Sequence, residues 1–169
     1  MIDARTFGEL SERRLREEIP SIDPRLNTVL VQLNRTSSNL ISEFESKVHK
    51  SLNLTWSGYR LLFVLWVMGD IEPVRAAEFT NTSRASVSSL SSSFEKRGLL
   101  TRSPSPDDGR SIVLSLTDEG RRLVKAAVEQ QERLQRKLLA DFTDSEQEIL
   151  SILLNKLSLS RSIERESGA

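Results

Sequence analysis

Short hydroxyls and guanidinium groups make up the densest side-chain chemistry in this 169-residue chain. Serine occurs seven times between Ser83 and Ser93, Arg84 heads that run, and Arg75, Arg102 and Arg110 flank it, the last beside Asp108-Gly109. A hydroxyl can donate or accept and is short enough to let a backbone come close to its target, while a guanidinium fork matches phosphate oxygens. These are the tools of polyanion recognition. The groups needed for bond making are missing: there is no cysteine, His49 is the only histidine, and no glycine-rich phosphate loop is present. A metal site would have to use carboxylates around His49, for which no tight spacing exists, and Glu17-Glu18 and Asp107-Asp108 read as solvated faces or turns. No catalytic residue, metal or cofactor is expected.

The elements that must position these residues can be read from their punctuation. Val87, Leu90 and Phe94 recur at helical spacing inside the serine run, which Ser83 caps and Gly98 ends. Serine is a mediocre helix former, so propensity does not explain the composition. With Val87, Leu90 and Phe94 inward, Arg84, Ser86, Ser88, Ser89 and Ser92 face outward. A short helix from Pro73 to Phe79 precedes this one across the turn Thr80-Asn81-Thr82, the spacing of a helix-turn-helix whose second helix enters the major groove. A hairpin then turns through Asp107-Asp108-Gly109-Arg110, and its returning strand, Ser111 to Leu116, runs into the helix start Thr117-Asp118-Glu119. Helix, β-wing, helix is the winged-helix order. Arg110 at the hairpin tip suits the narrow minor groove with Asp108 holding its guanidinium, and Arg102 on the outgoing strand suits a phosphate.

Longer helices flank this lobe. Asp23-Pro24 caps and opens one of about 25 residues with Leu26, Val29, Leu30, Leu33, Leu40, Ile41, Phe44 and Val48 on its apolar stripe. Thr55 and Gly69 bracket the next, built on Tyr59, Leu62, Phe63, Leu65 and Trp66. Asp70-Ile71-Glu72-Pro73 leaves room for one short extended piece. A further helix runs from Thr117 to about Ala140, and a Thr143/Glu146 capping box opens the last, with Leu150, Leu153, Leu154 and Leu157 on one face. The tail after Arg161 is polar, and fraying is expected there. The predicted organisation is an N-terminal arm over 1–22, a helical dimerisation stem from 23–53 and 117–163, and a winged helix-turn-helix lobe over 54–116: a mainly α protein with a small β-wing. The flanking helices carry more apolar surface than a small lobe can cover, which points to a two-fold homodimer.

Equal numbers of basic and acidic residues, 24 of each, argue against a diffuse cationic coat but allow local positive charge. No apolar run is long enough for a membrane span, and the charged N-terminus lacks the apolar segment of a secretory signal; no membrane partner and a cytoplasmic location are expected.

The segments Ser83-Arg84-Ala85-Ser86-Val87, Phe94-Glu95-Lys96-Arg97-Gly98-Leu99-Leu100-Thr101-Arg102, Asp107-Asp108-Gly109-Arg110 and Val113-Leu114-Ser115-Leu116-Thr117-Asp118-Glu119-Gly120 together resemble the MarR family of bacterial transcriptional regulators. The likeness in helix order covers about 23–160. It implies a dimer with two winged-helix lobes binding a pseudo-palindromic operator in double-stranded DNA, most often as a repressor. Asp108 and Arg110 match the family's wing pair, whereas Ser89 stands where many relatives carry a basic residue, which shifts phosphate binding toward Arg75, Arg84 and Arg102. The resemblance also implies release by a small aromatic or phenolic effector between stem and lobe, where this chain has His49, Trp56, Tyr59, Arg60 and Phe63. Taken singly, Trp56 and Phe63 also read as core and Arg60 as surface. The competing function is a winged-helix dimer that binds protein and not DNA.

Overall fold

Capping residues set the boundaries of most elements, and the computed structural model describes residues 4–105 and 111–166 of the result. In chain order these are α1 (Ala4–Glu18), α2 (Pro24–Lys47), a 3-10 turn (His49–Leu52), α3 (Trp56–Met68), α4 (Pro73–Thr80), α5 (Arg84–Lys96), β1 (Leu100–Pro104), β2 (Ile112–Leu116), α6 (Asp118–Leu138) and α7 (Asp144–Glu166). Asp23 accepts from the Arg25 amide ahead of Pro24, Thr55 accepts from Gly58 N, and Ser83 accepts from Ser86 N. Each satisfies an amide that the first helical turn leaves without a partner. The chain forms two compact units, Met1–Ala127 and Val128–Ala169, with the division falling within α6.

In the first unit, α1 lies along α2. The Thr28 hydroxyl donates to Glu12 at 2.9 Å, and the Arg35 guanidinium sits 5.2 Å from the Phe7 ring centre. The charged arm expected before Asp23 is therefore a helix over most of its length. The core is built by α3, α5, the hairpin and the start of α6, with Leu61, Leu62, Leu65, Val87, Phe94, Leu100, Leu114 and Val124 buried. Each such side chain contributes about 1.5–3 kcal/mol of transfer free energy. Strands β1 and β2 pair antiparallel from Leu100↔Leu116 to Pro104↔Ile112, and Ile71 adds an isolated bridge to Leu114, which is the short extended piece expected before Pro73. The turn Asp107-Asp108-Gly109-Arg110 lies outside the described residues.

In the second unit the Thr143/Glu146 box forms as the sequence implies: Glu146 accepts from Thr143 N at 2.8 Å while Thr143 Oγ1 accepts from Glu146 N at 3.3 Å. These bonds hold the Glu146 carboxyl below the usual carboxylate range. The backbone stays helical to Glu166, in keeping with a stretch that has no glycine or proline before Gly168. In the single chain Ile149, Ile152, Leu153 and Leu159 of α7 are exposed, as are Leu26, Val29 and Leu30 of α2 in the first unit.

The exit from the wing depends on one glycine. Thr117 donates its hydroxyl to Gly98 O at 2.7 Å and its amide to Leu99 O at 3.1 Å, and its Oγ1 accepts from Gly120 N at 3.1 Å. This pulls the first turn of α6 onto the backbone before β1, and a Cβ on Gly120 would lie 2.0 Å from Leu99 O. Alanine normally favours a helix over glycine by about 1 kcal/mol, but here the clash is with main chain and reverses the sign. Gly120→Ala is expected to destabilise the protein by about 2 kcal/mol in urea unfolding; a midpoint at or above that of the wild type would contradict this packing.

Candidate functional site

The outward face of α5 follows from what its inward face packs against. Val87, Ser91 and Phe94 are buried and Leu90 is half-buried, one turn of the predicted apolar stripe being less covered than expected. Arg84, Ser86, Ser88 and Ser89 are exposed on the other side. Ser86 is partly committed, because its hydroxyl lies 2.9 Å from that of Ser83 within the N-cap. Ser88 and Ser89 therefore form the open hydroxyl surface, with Arg84 at the helix head, where the helix dipole also favours an anion.

The flanking arginines differ in how they are held. Arg75 on α4 is exposed, paired with Glu78 at 2.7 Å and set over the Phe79 ring at 5.4 Å. Arg102 on β1, read as a phosphate ligand, donates to the hydroxyl of Ser92, read as outward-facing and here half-buried, at 3.1 Å, so the wing's first strand and α5 hold each other. Asp108 and Arg110, the wing pair read from the sequence, lie outside the described residues.

A second constellation gathers the residues singled out for an effector. His49, from the 3-10 turn, stacks on Tyr59 of α3 at 4.7 Å between ring centres, and on Trp56 at 5.7 Å. Tyr59 continues to Phe63 at 5.6 Å and Phe63 to Trp66 at 5.8 Å. Phe44, at the end of α2, completes the stack over Trp56, nearly coplanar at 9° and 5.9 Å apart. The stripe of α2 and the interior of α3 marked Phe44 and Trp66 only as core, since no local spacing links them to His49. Glu45 closes the corner by accepting from Trp56 N at 2.7 Å, capping α3 from another helix.

The interior of this stack is uncharged. His49 is fully buried, and neither Nδ1 nor Nε2 has a hydrogen-bond partner. Burial lowers its pKa, opposed by the nearby Glu45 charge, and burial pushes the Tyr59 phenol up to about 12. Arg60, placed among the effector residues or on the surface by the sequence, donates to the main-chain oxygen of Thr80 at the end of α4. Among the described residues no group of three or more histidine, cysteine, aspartate or glutamate side chains could hold a metal ion. No helix among them is long and apolar enough to cross a membrane.

Because folding depresses the pKa of His49, the unfolded chain binds more protons just below the ordinary histidine value. The stability that depends on neutral His49 is fully present above about pH 6.5 and is lost as pH falls below it toward the folded value. Thermal unfolding followed by circular dichroism should show the midpoint falling between about pH 7.5 and 5.5, and His49→Phe should reduce that slope. Equal slopes in the two proteins would show that His49 is not the group responsible.

The MarR family model matches residues 54–112, which hold α3, α4, α5 and β1 and end at the first residue of β2. Over 145 residues the chain is 30% identical to the HTH-type transcriptional regulator PecS of Dickeya dadantii, covering 84% of this chain and 87% of that one. It is 28% identical over 140 residues to the HTH-type transcriptional regulator YwaE of Bacillus subtilis, covering 83% and 82%. Among solved structures it is similar to Bordetella bronchiseptica BpsR, whose DNA binding is regulated by 6-hydroxynicotinic acid, with a TM-score of 0.69, 26% identity, and coverage of 77% of this chain and 98% of that one. The helix-turn-helix, the antiparallel wing and these likenesses together establish that the chain belongs to the MarR family of transcriptional regulators.

Proposed function

We propose that this protein acts as a homodimeric repressor that binds a pseudo-palindromic operator in double-stranded DNA and is released by a small aromatic acid. The observation that carries the DNA half is the outward face of α5, where Arg84, Ser88 and Ser89 are exposed opposite the buried Val87 and Phe94. In this reading Arg84, Ser86, Ser88 and Ser89 enter the major groove of each half-site. Arg75 and Arg102 lie toward the phosphates, and the wing's Arg110, steadied by Asp108, enters the minor groove. The exposed leucines of α2 and α7 are the surfaces that a second copy would cover. Hydroxyls in place of basic side chains on the groove face leave fewer charge contacts, so specificity rests on short-range hydrogen bonds and on the fit of the two lobes to the half-site spacing.

The effector half is supported by His49, a buried imidazole within a wall of aromatic rings. A flat ring can stack on Trp56, Tyr59 and Phe63, and a hydroxyl or carboxyl group on it can hydrogen-bond to His49. Arg60 stands next to Tyr59 in the chain with its guanidinium engaged by Thr80. The regulation of BpsR by 6-hydroxynicotinic acid is in keeping with a ligand of this class.

Selection of fragments from a genomic DNA pool by the purified protein should recover a duplex with two inverted half-sites centred about 34–36 Å apart, one helical turn. On that duplex at fixed salt, Arg84→Ala and Arg110→Ala should each weaken binding by about 1–3 kcal/mol without lowering the melting temperature. Recovery of no preferred sequence would favour a protein-binding lobe, and unchanged affinity in both variants would remove Arg84 and Arg110 from the DNA interface. Titration with 6-hydroxynicotinate should quench tryptophan fluorescence and weaken DNA binding; no change in either signal would remove this class of ligand.

A further inference from the structure

Two arginines whose acceptors are main-chain carbonyls hold the C-terminal end of α5 and the end of α4 that leads into it. Arg97, the C-cap residue of α5, donates from Nη1 to Asn53 O at 2.9 Å and lies 5.3 Å from the ring centre of Phe94 on its own helix. Asn53 is itself fixed: it adopts the left-handed conformation at φ 52° and its amide bonds back to the carbonyls of His49 and Lys50. Arg97 therefore ties the end of α5 to the turn that carries His49. At the other end, Arg60 donates to Thr80 O. Thr80 is 2% exposed, its hydroxyl donates to Ala76 O at 2.7 Å and lies 2.7 Å from the Thr82 hydroxyl, and Ser83 follows as the N-cap of α5. Both anchors, Arg60 and the 3-10 turn with Asn53, flank the aromatic stack.

We infer that Arg60 and Arg97 are positioning residues that set the attitude of the recognition helix from the aromatic stack, and that neither is a phosphate ligand. The inference rests on the DNA-binding reading above. Each guanidinium donates to a carbonyl whose position is fixed by further hydrogen bonds, so a displacement of the 3-10 turn or of α3 reaches α5 at a specific end. A carbonyl is a neutral acceptor, and a bond to it is screened by salt far less than an exposed ion pair. The two arginines act on the geometry of binding and leave its counterion release unchanged.

Salt dependence separates a positioning residue from a phosphate ligand. On the duplex selected by the wild-type full-length protein, Arg97→Gln and Arg60→Gln should each bind about tenfold more weakly, the scale of one hydrogen bond from a charged donor. The slope of log affinity against log salt should stay at the wild-type value. Arg97→Lys and Arg60→Lys retain a donor of different reach and should fall between wild type and the glutamine variants. A slope reduced by about one would identify the residue as a phosphate ligand and overturn the inference while leaving DNA binding intact, and affinity within about twofold of wild type would overturn it as well. If a glutamine variant is unfolded at the assay temperature, its lysine counterpart decides: weaker binding at unchanged slope supports positioning, and wild-type binding overturns it. Failure of the wild type to select any duplex would instead remove the DNA-binding reading itself.

Discussion

The approach of α5 to α3 at Gly58 is the contact on which the arrangement of this lobe depends. A Cβ at that position would stand 2.8 Å from Cζ of Phe94, so the phenyl ring rests where any other residue would place a side chain. This close approach lets Phe94 and Val87 sink to 3% and 0% exposure, with Ser91 buried between them, and turns Ser88, Ser89 and Ser93 outward. The hydroxyl face is thus the other side of a packing solution: a helix of poor intrinsic propensity persists because one stripe is buried and Ser83 caps its first turn. The same contact brings Arg97, one turn beyond the buried ring, within reach of the Asn53 carbonyl.

The aromatic stack stands at the other boundary of the lobe and has a different character. Its rings bury a large apolar area around one polar group, and that group is left neutral and without hydrogen-bond partners. A buried polar group in that condition costs free energy comparable to a lost hydrogen bond, on the order of 1–3 kcal/mol. Because α3 bears Trp56, Tyr59, Phe63 and Trp66 as well as Gly58, the stack and α5 both pack against one helix.

Much of this was legible in the sequence because the elements announce their ends. Thr55, Ser83 and the Thr143/Glu146 pair each cap the helix they were read to open, and Pro24 and Gly69 sit at helix boundaries. The apolar residues Val87 and Phe94 fixed which side of α5 would be free. What was not legible is tertiary partnership. Arg60 and Arg102 carry the same charge whether they face a ligand, a phosphate or another helix, and only the fold brings them to Thr80 O and Ser92. Arg97 carried no role of its own because it sits among charged residues at a helix end, and Phe44 joined the stack from a helix whose stripe marked it only as core. His49 is buried against Tyr59 and Trp56, a placement that no local spacing in the sequence announces.

The central claim is that the exposed hydroxyl face of α5 is the surface that meets DNA. It is tested most directly by following backbone amide signals of the isotopically labelled protein by NMR as the selected duplex is added. The account predicts the largest shifts at Arg84, Ser88 and Ser89 on α5 and at the strand residues bordering the wing turn, with the core amides of Leu61 and Leu62 little changed. Largest shifts on α7 or α1, with α5 unmoved, would contradict it.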